Sequence, residues 1–120
     1  MSAKILIVDD SLYMRTVIKD ALESARFEVV GQASNGETAI DLALELEPDL
    51  ITLDNILPDM IGTDILKTYK EEELSSKVVM VSAVGQQSVI DQANEIGCDD
   101  YIVKPFTPEQ LVEKVKAVLG

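Results

Sequence analysis

Leu50-Ile51-Thr52-Leu53-Asp54 is a short apolar run that ends in one carboxylate, after which the chain turns through Asn55, Ile56, Leu57 and Pro58. An uncharged run this short, bounded by turn residues, predicts a strand over 49–54 that is buried on both faces. A buried strand that carries an Asp to its exposed carboxyl tip is a place for chemistry. Its partners have to come from other runs.

Upstream, Lys4-Ile5-Leu6-Ile7-Val8 is a second such run, broken by Asp9-Asp10-Ser11. Met14, Val17, Ile18, Ala21 and Leu22 then recur at helical spacing. Phe27 to Ala33 is a more mixed strand, as an edge strand would be. Asn35 offers an N-cap to a second helix, whose apolar positions Ala39, Ile40, Ala43, Leu44 and Leu46 end at Pro48, which cannot continue it. Downstream, Pro58 to Gly62 is a turn, and Ile65, Leu66 and Tyr69 mark a third helix running into a solvated Glu71-Glu72-Glu73 end. Lys77 to Ser82 is another buried strand. Val89, Ile90, Ala93 and Ile96 mark a fourth helix with Gly97 as its natural stop. Tyr101-Ile102-Val103 is a short strand that ends at Lys104-Pro105. Thr107-Pro108-Glu109-Gln110 has the form of a capping box, and it opens a last helix with Leu111, Val112, Val115, Val118 and Leu119 on its apolar face.

Strand and helix thus alternate five times with no linker between them. Near-continuous apolar strands between amphipathic helices imply an α/β fold, a parallel sheet covered on both faces. At 120 residues the chain is one domain, and its 47% apolar content is enough for a core built from Ile, Leu, Val and Ala. The net charge of −12 argues against nucleic acid and against a polybasic membrane contact, and favours basic partners or cations. A single cysteine, Cys98, allows no internal disulfide and reads as a small packed residue. No apolar window approaches membrane-spanning length and the N-terminus has no long apolar segment, so a cytoplasmic protein is expected.

The strand tips carry Asp9-Asp10, Asp54, Ser82 and Lys104. Ligands of such sheets bind beyond the carboxyl ends of the strands, where the strand order switches. In a 2-1-3-4-5 order the first, third, fourth and fifth strands are neighbours about 5 Å apart, and these side chains share one pocket. Three close carboxylates repel unless a cation or proton intervenes. All-oxygen ligands without His or Cys select a hard ion, and Mg²⁺ suits a site with few protein ligands. A carboxylate can attack phosphorus, and Asp54, alone on its strand tip, is the best nucleophile; Asp9 and Asp10 are better placed to hold the metal. A lysine and a hydroxyl can then offset charge on phosphoryl oxygens. Each group also has a plain explanation: Asp9-Asp10 as a strand end and cap, Lys104 as a surface lysine, Tyr101 as a strand-filling aromatic. Four tips with mutually useful groups make the joint reading stronger than any of these.

The combination of Ile5 to Ser11 (ILIVDDS), Leu53 to Gly62 (LDNILPDMIG), Val81 to Ala83 (VSA) and Tyr101 to Phe106 (YIVKPF) resembles the receiver domain of two-component response regulators, most closely the single-domain CheY-like type. The resemblance covers essentially the whole chain. It implies a flavodoxin-like (βα)5 three-layer sandwich, and the 2-1-3-4-5 strand order is taken from it. It implies that Asp54 is the phosphoacceptor and that Mg²⁺ is held by Asp9, Asp10, Asp54 and the backbone carbonyl of Ile56, with Asp10 a direct ligand. Ser82 and Lys104 would contact the phosphoryl group, and Tyr101 would be the aromatic that rotates as Ser82 moves. The Lys104-Pro105 bond is often cis in this family. Three features depart from the family pattern. Ile61 stands where an acid usually precedes the turn glycine, with Asp59 earlier; Asn55 replaces an apolar or aromatic residue; and Ile56 and Val84, at the positions that tune how attacking water is placed, are both apolar.

The expected function is a phosphorylation switch, not an enzyme. A histidine kinase donates phosphoryl to Asp54, Ser82 and Tyr101 respond, and the face of the fourth helix, fifth strand and fifth helix changes for a partner. The chain reads as a receiver domain over 1–120 with no output domain, a monomer acting by protein contact. The flagellar motor switch is the leading partner, and a phosphatase is a further one. The alternative within the family is a relay that passes phosphoryl to a histidine phosphotransfer protein. A metal-dependent phosphohydrolase using Asp54 would need a general acid two residues on, where Ile56 stands, and a cap domain that is missing.

Overall fold

Strands buried on both faces decide how the layers form. In the computed structural model, which describes residues 2–120, the elements run β1 (Lys4–Val8), α1 (Leu12–Ser24), β2 (Glu28–Ala33), α2 (Gly36–Leu46), β3 (Leu50–Leu53), α3 (Gly62–Glu71), β4 (Lys77–Ser82), α4 (Gln87–Ile96), β5 (Asp100–Val103) and α5 (Pro108–Leu119). The five strands form one sheet in the order β2-β1-β3-β4-β5, every pairing parallel. This is the flavodoxin-like arrangement expected.

Successive side chains of a strand point to opposite faces. Leu6, Val8, Ile51, Leu53 and Met80 therefore share one face, packed against Ala39 and Ala43 of α2, Ile65, Leu66 and Tyr69 of α3 and Ala93 of α4. Ile5, Ile7, Leu50, Val79 and Val81 take the other, under Ile18 and Leu22 of α1 and Leu111 and Val115 of α5. The buried Tyr69 hydroxyl donates to the Ala39 carbonyl at 3.0 Å, which ties α3 to α2. Burial pushes that hydroxyl well above the ordinary tyrosine range. β2 has one buried residue, Ala33, as its edge position requires.

The predicted caps form. Asn35 accepts from the Thr38 N–H, and Thr107 and Gln110 make a reciprocal capping box with Pro108 beside it. Gly97 ends α4 at φ 116°, a backbone conformation that costs glycine nothing. The Lys104-Pro105 bond is cis. Some boundaries fall inside the predicted ones. β3 stops at Leu53, although the Asp54 N–H still donates to the Val8 carbonyl at 3.0 Å. Phe27 lies outside β2 because its N–H closes the end of α1 on the Leu22 carbonyl. Of the three consecutive glutamates only Glu71 is helical; Glu73 turns left-handed at φ 56° as Leu74 folds back onto the Tyr69 carbonyl. Among the described residues no helix is long and apolar enough to cross a membrane.

Candidate functional site

Parallel pairing puts every strand's carboxyl end on one edge, so four strand tips converge. The Asp9 N–H, just past β1, bonds to the Ala33 carbonyl at 3.0 Å, and the side chain turns inward with 1% exposure. Its Oδ1 accepts from the Ser11 N–H at 2.9 Å. Its Oδ2 lies 2.7 Å from Lys104 Nζ. Asp10 remains exposed. Asp54 Oδ2 is 3.4 Å from the same Nζ, and Oδ1 accepts from the Ile56 N–H at 3.4 Å. Lys104 can reach both carboxylates because its own N–H is anchored on the Ser82 carbonyl at 2.8 Å, at the tip of β4.

One expectation needs correction. Asp54 was expected at an exposed tip, yet it is only 7% exposed. Lys104, just past β5, and Asp9, just past β1, are its charged neighbours. Burial is the main cause that holds its carboxyl above the ordinary carboxylate range; Lys104 opposes this and Asp9 reinforces it.

Asp9, Asp10 and Asp54 each offer an oxygen within 4.8 Å of the others. Three carboxylates facing one ammonium leave two negative charges uncompensated, which is the charge of one divalent cation. The donors are hard oxygens throughout, so the set fits Mg²⁺ and excludes thiolate- or imidazole-seeking ions. The turn after β3 is a short antiparallel pairing. Ile56 pairs with Ile61 in a narrow antiparallel bridge whose hydrogen bonds are made by the flanking residues, Gly62 N–H to Asn55 O at 2.6 Å and Leu57 N–H to Met60 O at 3.1 Å. The N–H and C=O of Ile56 itself therefore point away from Ile61.

Ser82 is fully buried, and its hydroxyl accepts from the Val84 N–H at 3.1 Å. Among the described residues the Ser82 hydroxyl makes no hydrogen bond to the side chain of Asp54 or Lys104. Tyr101 is 8% exposed, and its hydroxyl donates to the Val84 carbonyl at 2.6 Å. Burial first of all raises its hydroxyl above the ordinary range, with Ser82 pulling the other way. Ser82 and Tyr101 thus meet on the β4–α4 loop through Val84.

Two polar residues make contacts that the sequence does not reveal. Arg15, one turn into α1, donates from Nη1 to the Asp9 carbonyl at 2.8 Å and from Nε to Gln32 Oε1 at 3.1 Å, so it holds the Asp9-Asp10 turn against β2. An arginine one helical turn after an Asp-Asp pair was the available signal. Asp59 accepts from the Gly36 and Glu37 N–H groups, and chiefly through the Gly36 bond its carboxyl is held below the ordinary range. Nothing local marks that contact. Asn55 is 9% exposed, and its buried Oδ1 has no hydrogen-bond partner among the described residues.

The model of the response regulator receiver domain matches residues 5–116. The chemotaxis protein CheY of Thermotoga maritima is 40% identical over 118 residues, 98% of either chain. The chemotaxis protein CheY of Bacillus subtilis is 42% identical over 120 residues, the full length of both. In structure, a chain of the CheX–CheY–BeF3–Mg²⁺ complex from Borrelia burgdorferi superposes with a TM-score of 0.95 at 28% identity, over 98% of this chain and 90% of that one. A family match that runs through all four converging tips, with relatives this similar from end to end, leaves one conclusion: the chain belongs to the response regulator receiver domain family.

Proposed function

We propose that this chain is a chemotaxis-type phosphorylation switch in which Asp54 accepts a phosphoryl group from a histidine kinase. The observation that carries the reading is the buried carboxylate of Asp54, set between the Lys104 ammonium and the Asp9-Asp10 pair in a receiver domain. Residues 1–120 act as one receiver unit in the cytoplasm, signalling by protein contact instead of turning over a substrate. The partner is the flagellar motor switch, a reading supported by the CheY relatives.

In this mechanism one Asp54 oxygen attacks phosphorus and the bond from phosphorus to the donor's nitrogen breaks. Asp9, Asp10, Asp54 and the Ile56 carbonyl would hold Mg²⁺, which would supply neutralising charge to the phosphoryl oxygens. Lys104 is already 3.4 Å from Asp54 and donates to an oxygen of the new group. Ser82 turns from the Val84 N–H toward that group, and the loop follows. Tyr101, bonded to the Val84 carbonyl, carries the movement to the surface of β5.

The direct test is to incubate the protein with acetyl phosphate and Mg²⁺, weigh it intact and map the modified peptide. One phosphoryl group on the peptide containing Asp54, absent when EDTA replaces Mg²⁺, is the expected result. Equal labelling in EDTA, or labelling elsewhere, overturns the proposal.

The pocket mouth yields a second prediction. Ile56 is 58% exposed and Val84 half-buried, so neither flank offers a polar atom to orient attacking water. The phosphoryl group should persist without a phosphatase. Replacing Ile56 by Asn and Val84 by Glu together should shorten its lifetime by about tenfold, since a positioned polar group assists the proton transfer from water. An unchanged decay rate of the isolated phosphoprotein refutes this.

A further inference from the structure

We propose that Asp59 is a positioning residue for the metal-binding side of the site, clasping the β3–α3 turn to the first turn of α2 and thereby fixing where the Ile56 carbonyl stands. This rests on the reading that Ile56 and the three carboxylates hold Mg²⁺. The turn from Asn55 to Gly62 is a small hairpin, closed at its base by the Gly62–Asn55 hydrogen bond and next to its two-residue tip by the Leu57–Met60 one. Those bonds hold the hairpin's two arms together but do not tie it to α2. Asp59, exposed near the tip, reaches the neighbouring loop, and its Oδ1 accepts from the Gly36 N–H at 2.7 Å and its Oδ2 from the Glu37 N–H at 3.1 Å.

Those two amides are free donors of the α2 N-terminus, where backbone dipoles favour a carboxylate. Asn35, the helix's own cap, serves only the Thr38 N–H, at 2.8 Å. The first turn of α2 is therefore completed by a residue 22 and 23 positions away in sequence, on the far side of the metal-binding turn. Packing reinforces the clasp. A Cβ at Gly36 would lie 2.6 Å from Met60 Sδ, so the two loops approach as closely as they do because Gly36 has no side chain. With both base and tip held, Ile56, opposite Ile61, cannot swing relative to Asp54. Groups that orient a ligand without touching the metal commonly set its affinity.

Isothermal titration with MgCl2 separates positioning from plain helix capping. Asp59→Ala should weaken Mg²⁺ binding by about tenfold. Asp59→Asn, which keeps one acceptor, should recover part of the loss. Asn35→Ala removes a cap from the same helix without touching the turn, and its Mg²⁺ affinity should match wild type even as its urea midpoint falls. If Asp59→Ala binds Mg²⁺ as wild type does, or if Asn35→Ala weakens binding equally, the positioning role is wrong and the phosphorylation reading stands. If wild type binds no Mg²⁺, both fall together.

Discussion

The Asp54→Asn protein is expected to take up no phosphoryl group from acetyl phosphate and Mg²⁺, and to unfold at a higher temperature than wild type when both are measured in EDTA. The first effect is complete loss, because the amide is not a nucleophile toward phosphorus. The second follows from burial. The fold holds the Asp54 carboxyl above its ordinary value of 3.8, chiefly through desolvation. A raised acid is one whose protonated form the fold prefers. Its favourable contribution is full below 3.8 and is lost as pH rises through the raised folded value. At neutral pH wild type therefore carries a charge the fold disfavours, and Asn does not.

The Asn oxygen still accepts from the Ile56 N–H, and Lys104 keeps its closer partner Asp9 at 2.7 Å. The gain should be on the order of 1 kcal/mol, the scale of relieving one poorly compensated buried group. For a domain of this size that is roughly 4 °C in Tm. The difference should close as pH falls toward 3.8, where the wild-type carboxyl is itself neutral. An Asn variant less stable than wild type at pH 7, or a gap that does not change with pH, contradicts the account. A more stable Asn variant makes the site an instance of function held at the expense of stability.

Much of this is legible in the amino-acid sequence. The run from Leu50 to Leu53 is buried at every position, as an uncharged stretch between turns must be in a parallel sheet. The caps at Asn35 and Thr107 depend only on neighbours three residues away, so local reading finds them. Strand order does not follow from periodicity; it came from the resemblance of the motifs. The burial of Asp54 was illegible because its neighbours come from distant parts of the chain, Lys104 among them, 50 residues on. Asp59 was noticed only as an acid out of place. Its role depends on where the α2 N-terminus lies, and that is set by the packing of two helices on the sheet.

Gly62→Ala is expected to cost about 2–3 kcal/mol, the upper range for forcing extra volume into a packed site. A Cβ there would lie 2.5 Å from the Asp54 carbonyl oxygen and 2.8 Å from Asn55 Cα. Both are backbone atoms, so no side-chain rotation can make room. α3 cannot retreat either, because Ile65, Leu66 and Tyr69 on the same helix are essentially fully buried. The Gly62 N–H is also fixed, at 2.6 Å from the Asn55 carbonyl. Alanine's helix advantage of up to about 1 kcal/mol over glycine works against the loss without cancelling it. Gly31→Ala is the informative contrast. Its Cβ would meet Leu46 Cδ1 at 3.0 Å and Leu6 Cδ1 at 3.4 Å, the far ends of flexible side chains, so a smaller loss is expected. Urea unfolding of the two variants, with the slope unchanged, measures the difference. Because the relief available to Gly62→Ala is movement of the Asp54–Asn55 backbone, its phosphoryl uptake at saturating Mg²⁺ should fall as well, while that of Gly31→Ala should not. Equal stability losses in the two variants, or normal phosphoryl uptake by a folded Gly62→Ala protein, would show that the backbone of β3 yields at this point and that Asp54 does not depend on the close approach of α3.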